Sequence, residues 1–349
     1  MTLIPDEIGA LAIGHGLGSA LYEAARGFDV EIPPDLRRCA EDARFVRLSS
    51  MNVLPEIGAA LDRAGIPWVV LKGPAVGAFY ERPELRGFSD LDLMVRGADL
   101  ERAIESLGDA GVADFNRNWV GYLRYGIAEC PLLAPGVAVD LHWHIVATDR
   151  RRKRTTVDIA AMLKRRRSIR LGEIDVAALD PEDQLMNVCI HAGLSGADRL
   201  GWLRDVRELV RADSINWDVF GERCVESGVA ARVGQVLDRA RCLLGAGVPS
   251  AIPPALCPRA LLIARRRLDE RTVSGYLSSG TLRKLPVRGS GNSVGDVSAV
   301  LRSSILARFG AGPNWDFSDD ESVLFFDDES GGPGARAAYF RYAAAGQRS

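Results

Sequence analysis

The sequence predicts an α+β fold: a core with a mixed sheet, flanked by N- and C-terminal helical regions. Three observations predict it. Apolar residues recur at helical spacing through residues 1–64 and again from Asp180 onward. Between these regions, short β-branched runs alternate with helix-length segments. One of those runs alternates acidic and apolar residues with period two.

In chain order, Ile8, Leu11, Ala12, Leu17, Leu21 and Tyr22 form one helical stripe. Phe45, Leu48, Val53, Ile57 and Leu61 form a second. Pro33-Pro34 separates them, and Pro55 is expected to bend or restart the second helix. At Gly65 the texture changes. Ile66-Pro67-Trp68-Val69-Val70-Leu71 has the composition of a buried strand, and Gly73-Pro74 stops it before a short helix over 75–80. Ser89 to Val95 alternates carboxylates with apolar residues, so one face carries the acids and the other joins the core. A helix over 98–110 follows, then strand candidates at 125–130, 137–144, 168–171 and 174–179. From Asp180 helices are expected at 181–191, 202–210, 233–244 and 258–268. The resulting division is 1–64 helical, 65–179 α/β core, 180–288 helical and 289–349 a partly ordered tail. In that tail, Gly289–Gly295 reads as loop, and Leu324-Phe325-Phe326 within the acidic run 316–329 reads as a segment docked on the body.

Composition narrows the function classes. With 349 residues, 47% hydrophobic and 26% charged, the chain can bury a core without staples. A net charge of −2 argues against a general nucleic-acid coat. The cationic clusters 150–154 and 164–167 read as solvated faces. Met1 to Gly27 lacks a cationic segment followed by an apolar run, so no secretory signal is expected, and no run suits a membrane span. Six cysteines without CxxC spacing read as reduced thiols of a cytoplasmic protein.

The chemistry concentrates in Leu71-Lys72-Gly73 and the later Arg86-Gly87-Phe88-Ser89-Asp90-Leu91-Asp92-Leu93. Two aspartates at i and i+2 of a strand share a face, with Cα atoms about 7 Å apart. That spacing suits a pair of divalent ions roughly 4 Å apart, which activate an attacking oxygen and hold a leaving pyrophosphate. Asp140, in a second apolar strand, supplies a third carboxylate, and oxygen ligands of this kind suit Mg2+ or Mn2+. Lys72 and Gly73 suit the phosphates of an NTP, Lys72 as a point charge and Gly73 by letting backbone amides approach. Arg86 offers a planar fork to the same end. Ser89 joins this nucleotide-binding group. His142 does too, two residues from Asp140 on one face. His191 reads as a packed residue of an apolar helix, and Asp205 as either a helix-surface ion pair or an interior anchor for an arginine. Because clustered carboxylates repel, Asp90→Asn or Asp92→Asn is expected to leave stability unchanged or slightly raised.

Ile66, Lys72-Gly73, Tyr80, Pro83, Arg86, Asp90-x-Asp92 and Val139-Asp140-Leu141-His142-Trp143 together resemble a poorly characterised bacterial nucleotidyltransferase family of the polymerase-β superfamily. His15-Gly16-Leu17, Asp183-Gln184-Leu185, His191 and Trp202-Leu203-Arg204-Asp205 resemble its flanking helices, so the likeness spans roughly residues 10–210. It implies a polymerase-β-like core and transfer of a nucleoside monophosphate from an NTP. Asp90, Asp92 and Asp140 would be the catalytic metal ligands, and Lys72 and Gly73 the phosphate contact. The wider superfamily has Gly-Ser where this chain has Lys72-Gly73-Pro74. The implied partners are an NTP and an acceptor left open among small molecules, peptides and proteins. A non-catalytic nucleotide-binding or protein-interaction module of the same fold, and transfer of the γ-phosphate, are the competing readings. Both helical regions are expected to form the acceptor wall opposite the nucleotide.

Overall fold

The computed structural model describes residues 2–153, 155–271 and 331–346. The loop expected at 289–295 and the docked Leu324–Phe326 segment lie outside the described residues. A two-stranded parallel pair, β1 (Thr2–Leu3) with β2 (Val30–Glu31), brackets helices α1 (Asp6–Gly14) and α2 (Gly18–Ala25). The first apolar stripe therefore lies on two helices, broken where Gly16 takes a positive φ of 70°. Helix α3 (Pro34–Arg63) continues through Pro55, so the helix does not restart there. The lost backbone donor costs one intrahelical bond. Burial of Val53, Leu54 and Ile57 against the sheet offsets it, at about 1.5–3 kcal/mol per large apolar side chain.

The core follows as β3 (Trp68–Val70), α4 (Pro74–Gly77), β4 (Asp90–Val95), α5 (Leu100–Asp109), β5 (Ala113–Asp114), α6 (Trp119–Tyr125), β6 (Glu129–Ala134), β7 (Val137–His142), α7 (Asp149–Arg152), α8 (Ile159–Lys164), β8 (Arg167–Leu171) and β9 (Ile174–Ala178). The seven strands from β3 to β9 form one mixed sheet of order β5-β6-β7-β4-β3-β9-β8. The β4–β7 and β3–β9 pairs are parallel and the others antiparallel. Residues 119–125, where no helix is expected from sequence, form α6, and the strand expected at 125–130 begins only at Glu129. Gly126, in a left-handed conformation, ends α6 and separates the two.

Helices α9 (Pro181–Leu194), α10 (Leu200–Ala212), α11 (Trp217–Glu226), α12 (Ala230–Leu244), α13 (Ile252–Leu256) and α14 (Arg259–Arg271) complete the second helical region. The two sheet faces have separate cores. Leu91, Leu93 and Val95 of β4 and Val137, Val139 and Leu141 of β7 pack with α3, α5 and α6. Val69, Leu71 and Met94 pack with α9, α10 and α12. Alternation along β4 and β7 puts Asp90, Asp92, Asp140 and His142 on the second face, with α9 and α10. Of the two helical regions expected to form an acceptor wall, α9 and α10 pack on the face that carries the carboxylates, whereas α3 packs on the other.

One more helix, α15 (Gly332–Ala345), belongs to the core. Tyr339, Phe340 and Ala343 are buried among Trp119, Tyr122 and Trp143. The Tyr339 hydroxyl donates to the Ile127 carbonyl and accepts from Trp143 Nε1 at 3.0 Å. Arg152 stacks on Trp143 and donates to Tyr342 and three backbone carbonyls. The expected solvated cluster at 150–154 thus includes a buried structural cation. In the second cluster Arg165 pairs with Asp183 and Arg167 with Asp213, tying the core to α9 and the end of α10. Among the described residues, no helix is long and apolar enough to cross a membrane.

Candidate active site

Strand register assembles the site. In the parallel β4–β7 pair Asp92 lies opposite Asp140, and Asp90 opposite Ala138. In the antiparallel β6–β7 pair Glu129 lies opposite His142. Residues directly paired across strands point to one face, so three neighbouring strands deliver four acids and an imidazole to the same surface. Ligand atoms of Asp92, Asp140 and His142 all lie within 4.8 Å of one another, and Asp140 hydrogen-bonds to Asp90. The expected convergence of the three aspartates is therefore present. Lys72 lies two residues past the end of β3. The Leu71 amide donates to the Asp92 carbonyl at 2.9 Å, and Lys72 Nζ lies 2.7 Å from Asp92 Oδ1. His142 Nε2 approaches the same Oδ1 at 3.0 Å, and its Nδ1 lies 3.4 Å from Glu129 Oε2.

The three aspartates are electrostatically unequal. Burial alone would push Asp92 toward its neutral form, but Lys72 and His142 hold it well below the usual carboxylate range. Lys72 is held above its ordinary value, with the attraction of Asp92 outweighing the cost of burial. Asp90 is raised by burial and by the Asp92 charge. Asp140 is pushed up to about 7, first by burial and then by Glu129, Asp90 and Asp92 acting against the opposing pull of His142. His142 is raised despite burial, because it lies between Asp92 and Glu129. The Asp92 and Asp140 carboxyls beside an imidazole nitrogen form a donor set that a divalent cation would fit, since its charge would offset the repulsion among the acids.

Gly73 turns the chain out of the sheet with φ 51° and ψ −120°, and a Cβ there would press on the Asp90 carbonyl. Arg86 braces this turn. Its Nη1 donates to the Gly73 carbonyl at 3.0 Å, while Nε and Nη2 grip Asp205 at 2.8 and 3.0 Å. The fork expected at the phosphates has all three nitrogens engaged by the protein, and its role in the geometry is to hold the turn. Of the two readings the sequence left open for Asp205, the structure shows the interior anchor, which also accepts from the Tyr80 hydroxyl at 2.6 Å. Ser89 is exposed at the mouth, next to Asp90.

Sequence reasoning missed Glu129, Gln184 and Asn187. Gln184 and Asn187 donate side-chain amides to the Leu71 carbonyl at 3.0 and 3.2 Å, fixing the residue before Lys72. Their signal was available: two amides three apart, among the apolar residues of a helix, need buried partners. Glu129, a lone acid in an apolar strand, carried a similar signal. His191 packs edge-on against Trp202 and is lowered to about 3 by burial and the nearby Lys72 charge, so it is neutral. His144 is also lowered to about 3, by burial and Arg152, and its Nδ1 accepts from the Val146 amide.

No curated protein and no solved structure matches the chain. Residues 4–245, more than half of the sequence, match the family described as uncharacterised nucleotidyltransferase, and the chain belongs to that family.

Proposed function

We propose that the protein transfers a nucleoside monophosphate from an NTP to a hydroxyl or phosphate acceptor, using Mg2+ or Mn2+ held by Asp90, Asp92 and Asp140. The observation that carries this reading is the convergence of three carboxylates on one sheet face with Lys72 at 2.7 Å from the most acidic of them. The catalytic unit is residues 65–179, with 1–64 and 180–288 as its helical flanks.

A divalent ion at this site would supply Lewis acidity toward the α-phosphate and acidify the acceptor hydroxyl. The chain's own residues do the rest. Lys72 neutralises Asp92 in the resting protein and offers its ammonium to the β- and γ-phosphates when the triphosphate enters. Gly73 leaves the turn without a side chain, so phosphate oxygens can approach the backbone beside Ser89. Arg86 fixes that turn through Asp205, and Gln184 and Asn187 fix the preceding residue. The acceptor side belongs to α9 and α10, which share the carboxylate face.

Calorimetry with wild type and Lys72→Ala tests the nucleotide end. A charge-assisted contact is worth about 1.5–3 kcal/mol, so NTP affinity should fall by roughly 10- to 100-fold and NMP affinity far less. Equal losses for the two nucleotides would remove Lys72 from the phosphate site.

A further inference from the structure

The imidazole of His142 has a carboxylate at each nitrogen, and neither contact is a chance of surface side chains. His142 is buried, with 8% of its side chain exposed, and strand pairing fixes both neighbours: Glu129 lies directly opposite it on β6, and Asp92 lies one strand away on β4. We propose, resting on the metal-dependent reading above, that His142 Nε2 ligates the same metal ion as Asp92 and Asp140. Glu129 orients the ring through Nδ1, and the site therefore selects a transition-metal divalent such as Mn2+ over Mg2+.

The geometry fits a shared ion. The 3.0 Å between His142 Nε2 and Asp92 Oδ1 is the spacing of two adjacent ligand atoms that each lie about 2.1 Å from one octahedral ion. Asp140 contributes its oxygen within the same 4.8 Å envelope. With Nδ1 directed at Glu129, Nε2 faces the two aspartates and in the resting protein donates its proton to Asp92. Ion binding displaces one proton from Nε2 to solvent and leaves Nδ1–H in place. A carboxylate on the far nitrogen is the usual outer support of a ligating histidine, fixing its tautomer and ring orientation. The donor set is then mixed oxygen and nitrogen. Mg2+ takes oxygen ligands and gives up its waters reluctantly, whereas imidazole binds transition-metal divalents better. The alternative is that His142 only hydrogen-bonds Asp92 and the metal sees oxygen alone.

The full-length protein, free of nucleotide and loaded with Mn2+, separates these by pulsed electron paramagnetic resonance and calorimetry. The expected result is a histidine 14N coupling to Mn2+ and a Kd at least about tenfold tighter for Mn2+ than for Mg2+. In His142→Asn the coupling and the preference should both disappear. Glu129→Gln should weaken Mn2+ by about 10- to 100-fold with little change for Mg2+. The wild-type spectrum needs no variant, so misfolding of a variant does not remove the test. Mn2+ that binds without 14N coupling, or whose coupling persists in His142→Asn, overturns the inference. If Asp92→Asn then still abolishes binding, the metal-dependent reading stands on oxygen ligands alone. Failure of both ions to bind at a site sensitive to Asp92→Asn overturns the two together.

Discussion

Asp205→Ala removes the carboxylate that pairs with Arg86 and accepts from Tyr80, and the structure gives the size of the loss. The Arg86–Asp205 pair is bidentate at 2.8 and 3.0 Å, and only 12% and 8% of the two side chains are exposed, so water does little to screen it. Removing one partner strands a buried guanidinium, at a cost of about 3–5 kcal/mol. The Tyr80 hydroxyl, left without its 2.6 Å acceptor, adds about 1 kcal/mol. Because the three groups share one network, their sum is an upper bound, and about 4 kcal/mol is expected. Urea unfolding should show it as a lower midpoint with unchanged slope. The double variant Arg86→Met, Asp205→Leu removes both charges and should recover most of that stability. It should still bind NTP poorly, because the Gly73 carbonyl has lost its donor. A cost below about 1 kcal/mol for Asp205→Ala would refute the reasoning, since that is the value of an exposed pair. A double variant as unstable as the single one would assign the effect to packing.

The remaining predictions concern the carboxylates. Asp90→Asn and Asp92→Asn should both abolish turnover yet differ in stability, contrary to the equal expectation from sequence. Asp90 is raised by burial and repulsion, so its amide should be neutral or stabilising in urea. Asp92 is lowered by its cationic partners and contributes stability above the ordinary carboxylate range that is lost as pH falls below it, so Asp92→Asn should cost about 1.5–3 kcal/mol at neutral pH. Asp140 has the opposite sign. Its contribution is full below the ordinary carboxylate range and is lost as pH rises through about 7. The Tm of metal-free protein should therefore fall as pH rises from about 5 to 8, and Asp140→Asn should flatten that slope. Saturating divalent ion should reverse it, because ligation requires ionised carboxylates. An unchanged slope in Asp140→Asn would place the responsible group elsewhere.

Period-two alternation made β4 and β7 legible because each strand keeps its aspartates off an apolar face, and that alternation fixed where Asp90, Asp92 and Asp140 point. For Asp205, pairing with an arginine was legible, but whether it lay on the helix surface or in the interior was not. Partner identity was not legible where it depends on distant chain. Arg86 reads as a phosphate fork until Asp205, 119 residues away, is seen to pair with it. Arg152 reads as one of a surface cluster until α15 brings Tyr342 to it. The docking of α15 was hidden for a similar reason. Small residues dominate 332–345, and the close approach depends on Gly97, where a Cβ would strike the Ala343 carbonyl. Glu129 joined the site through register, which follows from the pairing of β6 with β7 and not from its own neighbours in sequence.

The central claim is transfer of the α-phosphoryl group with its nucleoside, and isotope position tests it most directly. Purified protein is incubated with Mn2+ or Mg2+, a cell extract as acceptor source, and NTP labelled at either the α- or the γ-phosphate. The account predicts label on an acceptor from the α-position only, with pyrophosphate released in equal amount and no transfer by Asp90→Asn. Transfer from the γ-position would instead make the protein a phosphotransferase. Triphosphate binding with no transfer from either position, across acceptor sources and metals, would contradict catalysis and leave a nucleotide-binding module of the same fold.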